Sequence, residues 1–176
     1  MQIEDALLVV RCQLGERDAF EALIVRWAGP VAGYARRVSE DSEAAAELSQ
    51  EIWVRVLRGI DRLKEPRCFR AWLFGIAHRA SIDALRRRYK APSPVHDLDL
   101  PEEDESFDEQ DDIERMEAGL ERLPPVEREI LTLFYLHELT IEETAAALAV
   151  PAGTVKSRLH RARRLLRREL EMGDTL

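Results

Sequence analysis

The sequence predicts an all-α protein of two small helical domains joined by a flexible acidic linker, with a helix-turn-helix in the C-terminal domain. Apolar residues recur at helical spacing along most of the chain, and no stretch alternates convincingly as a strand. Ala, Leu, Glu and Arg, which favour helix, are abundant. An acidic, proline-containing stretch divides the 176 residues into 1–90, 91–112 and 113–176.

Two helices open the first domain. Ile3 to Leu14 predicts a short amphipathic helix with acids in its first turn and Gly15 as its stop. A second helix follows Asp18, and Gly29-Pro30 should bend or break it midway. The apolar positions expected to face the core are Ile3, Leu7, Val10 and Leu14 in the first helix, and Phe20, Leu23, Ile24, Trp27, Val31, Tyr34 and Val38 in the second.

The third helix is expected from Glu43 to Ile60. Its polar side is either solvated or a docking surface, and composition alone does not choose between these. The polar side carries Glu47, Gln50, Glu51 and Arg55, while the apolar side has Ala45, Leu48, Ile52 and Val56, widened by Trp53, Val54 and Leu57.

A polar loop, Asp61 to Cys68, precedes a long helix from Phe69 to about Tyr89. Cations gather in the loop and at the end of the helix, close to two aromatic residues, a mixture that single-stranded nucleic acid uses for phosphate contact and base stacking. Helix capping and core packing are the competing explanations. The residues concerned are Arg62, Lys64, Arg67, Phe69, Trp72, Arg86, Arg87 and Arg88; the core-facing set is Phe69, Trp72, Leu73, Ile76, Ala77, Ala80 and Leu85.

The segment between the domains is strongly acidic. Asp97 to Glu117 holds twelve acids and one cation, Arg115, whereas the whole chain has a net charge of -8. Because the segment has few large apolar residues and contains prolines, we expect a flexible linker. Overall charge is therefore a poor guide to what the two domains bind.

The second domain ends in a helix-turn-helix. Thr140 and Glu143 form a capping box, Ala149 to Pro151 interrupt the helix, and Pro151 suits the start of the next one. Seven cations and no acid lie between Lys156 and Arg168, opposite a stripe of Val155, Leu159, Ala162, Leu166 and Leu170. We expect Thr154, Lys156, Ser157, Arg158 and Arg161 to meet base edges in the major groove, and His160, Arg163 and Arg164 to reach phosphates.

Other classes of protein find little support in the sequence. No apolar run approaches the roughly 18 residues of a membrane span, so we expect no membrane insertion and a cytoplasmic location. Cys12 and Cys68 lack partners at metal-ligand spacing, which favours free thiols over a metal site. Without a phosphate loop or a nucleophile motif, we expect no catalysis, no cofactor and no small-molecule substrate.

Three stretches in this order resemble the short extracytoplasmic-function (ECF) group of bacterial RNA polymerase sigma factors. They are AAELSQEIWVRVLR (45–58), FRAWLFGIAHRASIDALRRR (69–88) and the segment from Leu120 to Leu166, whose PAGTVKSRLHRAR core is the most specific. A helix-turn-helix alone would equally suit a stand-alone transcription regulator. Such a regulator has no need of the first two stretches.

The resemblance implies a sigma factor that binds core RNA polymerase, recognises the minus-35 duplex and melts the minus-10 element; an anti-sigma partner is also implied. In the family the corresponding loop often carries Gly and Ser, whereas this chain has Lys64 to Cys68. A position in the following helix that is frequently Asn in the family is Arg79 here. The acidic linker would either mimic nascent RNA or serve as a spacer. The implied contacts are Glu47, Gln50, Glu51 and Arg55 for core polymerase; Arg62, Lys64, Arg67, Phe69, Trp72, Arg79, Arg86, Arg87 and Arg88 for minus-10 DNA; and Thr154, Lys156, Ser157, Arg158, His160, Arg161 and Arg164 for minus-35 DNA.

Overall fold

The structure, a computed structural model, describes residues 2–89 and 119–173. Within these ranges the chain is helical with short turns and has no strand, which confirms the predicted all-α class. The predicted linker, 91–112, lies outside the described residues. The helices are α1 (Gln2–Gln13), α2 (Arg17–Val38), α3 (Ser42–Gly59), α4 (Phe69–Tyr89), α5 (Pro125–Leu131), α6 (Ile141–Leu148) and α7 (Ala152–Gly173).

Helices α1 to α4 form an N-terminal group around an aromatic centre. Trp27 of α2 meets Phe69 and Phe74 of α4 edge-on, with ring centroids 5.9 and 6.2 Å apart. Such pairs are worth about 0.5–1.5 kcal/mol beyond the apolar area that they bury. The predicted core positions Leu23, Val31, Tyr34, Ala45, Leu48, Ile52, Val56, Leu73 and Ala80 are all buried around this centre.

The prediction for the buried face of α1 is wrong. The expected core residues Ile3, Leu7, Val10 and Leu14 are 80%, 60%, 41% and 74% exposed. The buried face instead carries Asp5, Val9 and Cys12. Asp5 can be buried because its carboxylate pairs with Arg26 Nε at 2.7 Å and accepts a hydrogen bond from Trp27 Nε1 at 3.3 Å. A satisfied buried carboxylate therefore sets the rotation of this helix.

Helix α2 runs unbroken from Arg17 to Val38 through Gly29-Pro30, so of the predicted bend or break the break does not occur. Proline removes one helical hydrogen bond, a local cost of about 3 kcal/mol. Leu23 and Trp27 before the proline and Val31 and Tyr34 after it are all buried. A helix that ended at residue 29 would interrupt this buried stripe. Tertiary packing of the stripe therefore outweighs the preference of proline for a helix end.

Three apolar residues expected to join the core are exposed instead. Leu85 is 51% exposed, and residues 85–88 are all exposed, so the last turns of α4 extend past the packed part of the group. Val54 and Leu57 of α3 are 41% and 56% exposed. They therefore contribute apolar surface beside the polar side of α3 rather than core.

The C-terminal group, α5 to α7, packs against the N-terminal group. A π-helical turn, Thr132–Leu136, follows α5 and leads to His137, whose ring stacks on Phe74 of α4 with centroids 4.2 Å apart. Helix α6 lies against α4, where a Cβ on Gly75 would sit 3.5 Å from the backbone of Ala147. The two groups thus share a packed boundary within the described residues.

Candidate nucleic-acid interface

The predicted helix-turn-helix is present, with its caps. Thr140 Oγ1 accepts from the Glu143 backbone N–H at 3.1 Å, and the Glu143 carboxylate accepts from the Thr140 N–H at 2.9 Å. Ala149 ends α6 in the left-handed region, at φ 54°, and α7 begins directly after Pro151. The capping box and the turn therefore fix the angle at which α7 leaves α6.

One face of helix α7 packs into the C-terminal group, and the opposite face is exposed. Val155, Leu159, Ala162 and Leu166 are at most 3% exposed and form most of the predicted buried stripe, while Leu170, its last predicted member, is partly buried. Helical spacing places the cations on the opposite face. Of the predicted minus-35 residues, Lys156, Ser157 and Arg164 are exposed, while Thr154, Arg158, His160 and Arg161 are partly exposed.

Two arginines of α7 also hold the C-terminal group together. Arg161 Nε pairs with Glu127 Oε1 of α5 at 3.0 Å, and the Glu127 side chain is only 8% exposed. Arg163 Nε donates to the Tyr135 hydroxyl at 2.8 Å, and its guanidinium lies 5.8 Å from the centre of the Phe134 ring. Arg161 and Arg163 therefore link α7 to α5 and to the turn that follows α5. The residue pattern of α7 alone could not indicate these contacts, because both partners lie outside that helix. Glu127 stands in the first turn of a helix that begins at Pro125, and its position in the sequence does not indicate Arg161 as its partner.

Hydrogen bonds from α1 fix the basic loop between α3 and α4. Gln13 Nε2 donates to the carbonyl oxygens of Ile60 and Leu63 at 2.9 and 2.8 Å. Leu63 is buried, and single turns of 3₁₀ helix occupy Ile60–Arg62 and Pro66–Cys68. The loop is thus anchored at its base while its cations Arg62, Lys64 and Arg67 are exposed. Sequence reasoning missed Gln13, since a single amide near a helix end carries no signal of its own.

The two aromatics of the predicted minus-10 set differ in exposure. Phe69 is 1% exposed, so its ring supports the core and is not offered to a base in this conformation. Trp72 is half-buried, and its ring lies 3.2 Å from where a Cβ on Gly59 would be, a tight approach at which a larger residue would push the ring back by a few tenths of an ångström. Trp72 is therefore the aromatic with surface available for stacking.

The remaining cations of the predicted minus-10 set lie along α4 and at its end. Arg79, Arg86, Arg87 and Arg88 are all exposed. Arg88 pairs with Glu40 and Asp41 at 3.3 and 3.6 Å, and such exposed pairs are worth about 0–1 kcal/mol. Because the pairs are weak, Arg88 can exchange them for a phosphate at little cost.

The polar side of α3 divides into two parts. Glu47 and Gln50 are exposed. Glu51 instead pairs with Arg55 at 2.8 Å, and Arg55 reaches Asp83 of α4 at 2.9 Å. Of the four predicted polymerase contacts, Glu47 and Gln50 are therefore open to a partner, while Glu51 and Arg55 also tie α3 to α4.

Acid should destabilise the protein through His137. Burial, together with the cations Arg37 and Arg70, lowers the pKa of His137 from 6.5 to about 4. Between these pH values the unfolded chain binds a proton at His137 that the folded chain does not. The contribution of neutral His137 to the free energy of unfolding is therefore fully present above pH 6.5 and is lost as the pH falls toward 4. The expected loss across this window is about 3 kcal/mol.

Urea unfolding at a series of pH values measures this effect. His137→Phe, which keeps a ring on Phe74 but cannot titrate, should show a correspondingly shallower decrease in stability. Equal slopes for the two proteins would show that His137 is not the responsible group.

Within residues 2–89 and 119–173, no helix is long and apolar enough to cross a membrane. The same residues contain no group of three His, Cys, Asp or Glu side chains placed to hold a metal ion.

Comparison with known proteins places both helical groups in one family. Residues 23–91 match the family model for sigma-70 region 2, and residues 113–166 match sigma-70 region 4. The chain is 31% identical to the ECF RNA polymerase sigma-E factor of Escherichia coli, covering 92% of each chain. It is 29% identical to the RNA polymerase sigma-H factor of Pseudomonas aeruginosa, covering 97% of this chain and 95% of that protein.

Solved structures share the fold. CnrH in complex with the cytosolic domain of CnrY gives a TM-score of 0.71 at 24% identity, covering 96% of this chain and 98% of that one. The sigma factor RpoE of Bartonella quintana, in complex with the anti-sigma factor NepR, gives 0.66 at 23% identity, covering 86% and 96%. Two family regions in order and close relatives along the whole chain agree, so this chain belongs to the ECF group of RNA polymerase sigma factors.

Proposed function

We propose that this ECF sigma factor binds core RNA polymerase through the open part of α3 and reads two promoter elements with its two helical groups. The observation that carries this proposal is the order of three separate surfaces along one chain. They are the polar face of α3, the basic loop with α4, and the cationic face of α7. A regulator that acts alone needs only the last of these.

The minus-35 element is assigned to α7. Its N-terminal side chains lie on the face opposite the buried stripe, where a recognition helix meets base edges in the major groove. Lys156, Ser157 and Arg158 are the leading base contacts in this proposal, with His160, Arg164 and Thr154 beside them. Arg161 contributes in addition by holding α7 on α5 through Glu127.

The minus-10 element is assigned to the anchored loop and α4. Melting requires no catalytic group, only cations and a stacking surface that favour the unpaired strand over the duplex. The exposed cations Arg62, Lys64 and Arg67 supply the charge, and Trp72 supplies a partly exposed ring. Arg79 replaces a frequent Asn, so this chain should prefer a different base or contact a phosphate at that position.

Charge reversal on α3 should weaken polymerase binding. Glu47→Arg is expected to lower the affinity for core polymerase about tenfold, because a positive side chain replaces an exposed carboxylate at the centre of the docking face. The matched control is Glu21→Arg, which reverses an exposed carboxylate on α2 whose partner Arg17 is also exposed. Titration of labelled protein with purified core polymerase measures both. Equal affinities for the two variants would remove Glu47 from the interface.

Several finer assignments belong to the same proposal. We place the protein in the cytoplasm, where polymerase and promoter DNA are found, and assign it no enzymatic activity. An anti-sigma factor is a proposed partner because solved structures of the same fold include such complexes. The acidic segment 91–112 is proposed to connect the minus-10 and minus-35 reading units, either as a spacer or as a mimic of nascent RNA.

Transcription with purified core polymerase on a pool of random promoter fragments tests the whole proposal. With the protein present, new start sites should share two upstream motifs at a fixed spacing. If the protein neither binds core polymerase nor redirects initiation, the proposal fails. Neutralising the acids between Asp97 and Asp112 and counting abortive transcripts then separates the RNA mimic from the spacer, since a spacer leaves abortive initiation unchanged.

A further inference from the structure

One amide side chain holds both ends of the turn that opens the basic loop. Gln13, the last residue of α1, donates from Nε2 to the carbonyl oxygen of Ile60 at 2.9 Å and to that of Leu63 at 2.8 Å. The same Ile60 oxygen accepts the backbone N–H of Leu63 at 3.1 Å, which closes the 3₁₀ turn. A side-chain amide carries two N–H groups, so both bonds can form at once. Gln13 thus fixes the loop backbone at two points, although it lies 47 and 50 positions away in the sequence.

The anchored backbone determines where two cations of the loop lie. Leu63 is 8% exposed, and the residues on either side of it, Arg62 and Lys64, are exposed. The Leu63 side chain is packed into the core, and its carbonyl oxygen is held by Gln13. Arg62 and Lys64 therefore leave the backbone from a fixed position, and that position depends on the anchor.

Helix α1 is itself fixed about two turns before Gln13. The buried Asp5 pairs with Arg26 and accepts a hydrogen bond from Trp27, which sets the rotation of the helix about its axis. Val9 and Gln13 follow Asp5 at intervals of four residues, so all three lie near the same side of α1. The rotation set at Asp5 therefore directs Gln13 toward the loop. A helix that contributes no residue to the proposed DNA contacts thus supports the loop that does.

We propose that Gln13 is a positioning residue for reading the minus-10 element: by fixing the turn from Ile60 to Leu63 it determines the base preference of the loop without touching DNA. The proposal rests on the assignment of the minus-10 element to this loop. Cations on a loosened loop can still reach phosphates, but phosphate contacts carry no sequence information. Base preference requires groups that are held in one arrangement before the strand binds, because ordering a loop during binding costs free energy. Loss of the anchor should therefore reduce base preference more than general attraction for DNA.

The anchor can be tested in the free protein by native-state hydrogen exchange. Gln13→Leu keeps a side chain of similar size without N–H groups, and Gln13→Glu places a carboxylate against two carbonyl oxygens, which repel it. The Leu63 amide should exchange about tenfold faster in Gln13→Leu, and faster still in Gln13→Glu. The control, Leu14→Gln, puts an amide on the neighbouring position, which is 74% exposed, and should leave this exchange unchanged. Wild-type exchange at Leu63 in both Gln13 variants would show that the two hydrogen bonds do not hold the loop, and the proposal would fail.

Base preference is measured with the variants bound to core polymerase. Transcription is compared between the promoter preferred by the wild type and promoters with single substitutions in the minus-10 or the minus-35 element. Gln13→Leu should lower the minus-10 preference, expressed as the ratio of transcription from the two promoters, about fivefold. The minus-35 preference and the affinity for core polymerase should stay unchanged, and Leu14→Gln should keep all three wild-type values. Circular dichroism confirms that the variants fold.

A purely structural role of Gln13 predicts a different result. It would reduce transcription from every promoter by the same factor, and such a uniform loss, or an unchanged minus-10 preference, would overturn the positioning role. If the wild type itself shows no minus-10 preference, the proposed function fails and the positioning role fails with it. The two failures are distinguishable, because the first appears only in the variants and the second already in the wild type.

Discussion

Lys156→Glu is expected to lower promoter-specific transcription by about 100-fold while leaving binding to core polymerase intact. Loss of a base or phosphate contact from a recognition helix costs about 1–3 kcal/mol. The introduced carboxylate adds repulsion against the phosphates, which places the effect at the upper end of this range. Lys156 is exposed near the start of α7, beside the buried Val155 that anchors the helix, so the change should leave the fold intact.

The control for this variant is Arg168→Glu, which makes an equally large charge change on the exposed side of the same helix, three turns further on. It should reduce transcription much less, because the C-terminal part of a recognition helix lies away from the base edges. Runoff transcription from a selected promoter, with core binding measured in parallel, compares the two. Equal losses would mean that α7 acts through general charge rather than through its N-terminal side chains.

Phe74→Ala is expected to lower the free energy of unfolding by about 3–5 kcal/mol, since a fully buried ring leaves a cavity that the core fills only in part. Phe74 is 0% exposed and meets rings from both helical groups. Trp27 and Tyr34 contact it from α2, at centroid distances of 6.2 and 5.8 Å, and His137 stacks on it from the C-terminal group. The variant should therefore weaken both the N-terminal core and the boundary between the groups.

Leu85→Ala on the same helix is the matched control. Leu85 is 51% exposed, so the change should cost less than about 1 kcal/mol. Urea unfolding followed by circular dichroism measures both variants. A cost at Leu85 equal to that at Phe74 would show that the end of α4 is packed more tightly than its exposure indicates.

Much of the candidate site could be predicted because its signals are local. The capping box of Thr140 and Glu143, the stop at Ala149 to Pro151 and the buried stripe of α7 all depend on residues within a few positions of one another. The predicted helix from Phe69 to about Tyr89 agrees with α4 for the same reason. The sites of individual base and polymerase contacts remain predictions, to be decided by the variants described above.

The roles of particular charged and aromatic side chains were harder to predict. Arg161 resembles any other cation of α7 in the sequence, yet it is paired with the buried Glu127, more than thirty residues earlier. Phe69 stands beside the basic loop and fits both a core position and a stacking platform in the sequence; the structure packs it on Trp27 in the core. Neither partner can be identified from spacing along one helix, because each lies on another element.

The sequence by itself determined the all-α class, most helix bounds and the helix-turn-helix, since helical period and capping operate within one or two turns. Only the tertiary structure decided which face of α1 is buried, because the outcome depended on Asp5 finding Arg26 and Trp27 on another helix. It likewise decided that α2 runs through Pro30 and that Glu129 connects three helices at the boundary. In each case the deciding contact joins residues on different helices, which the spacing of residues along one helix does not show.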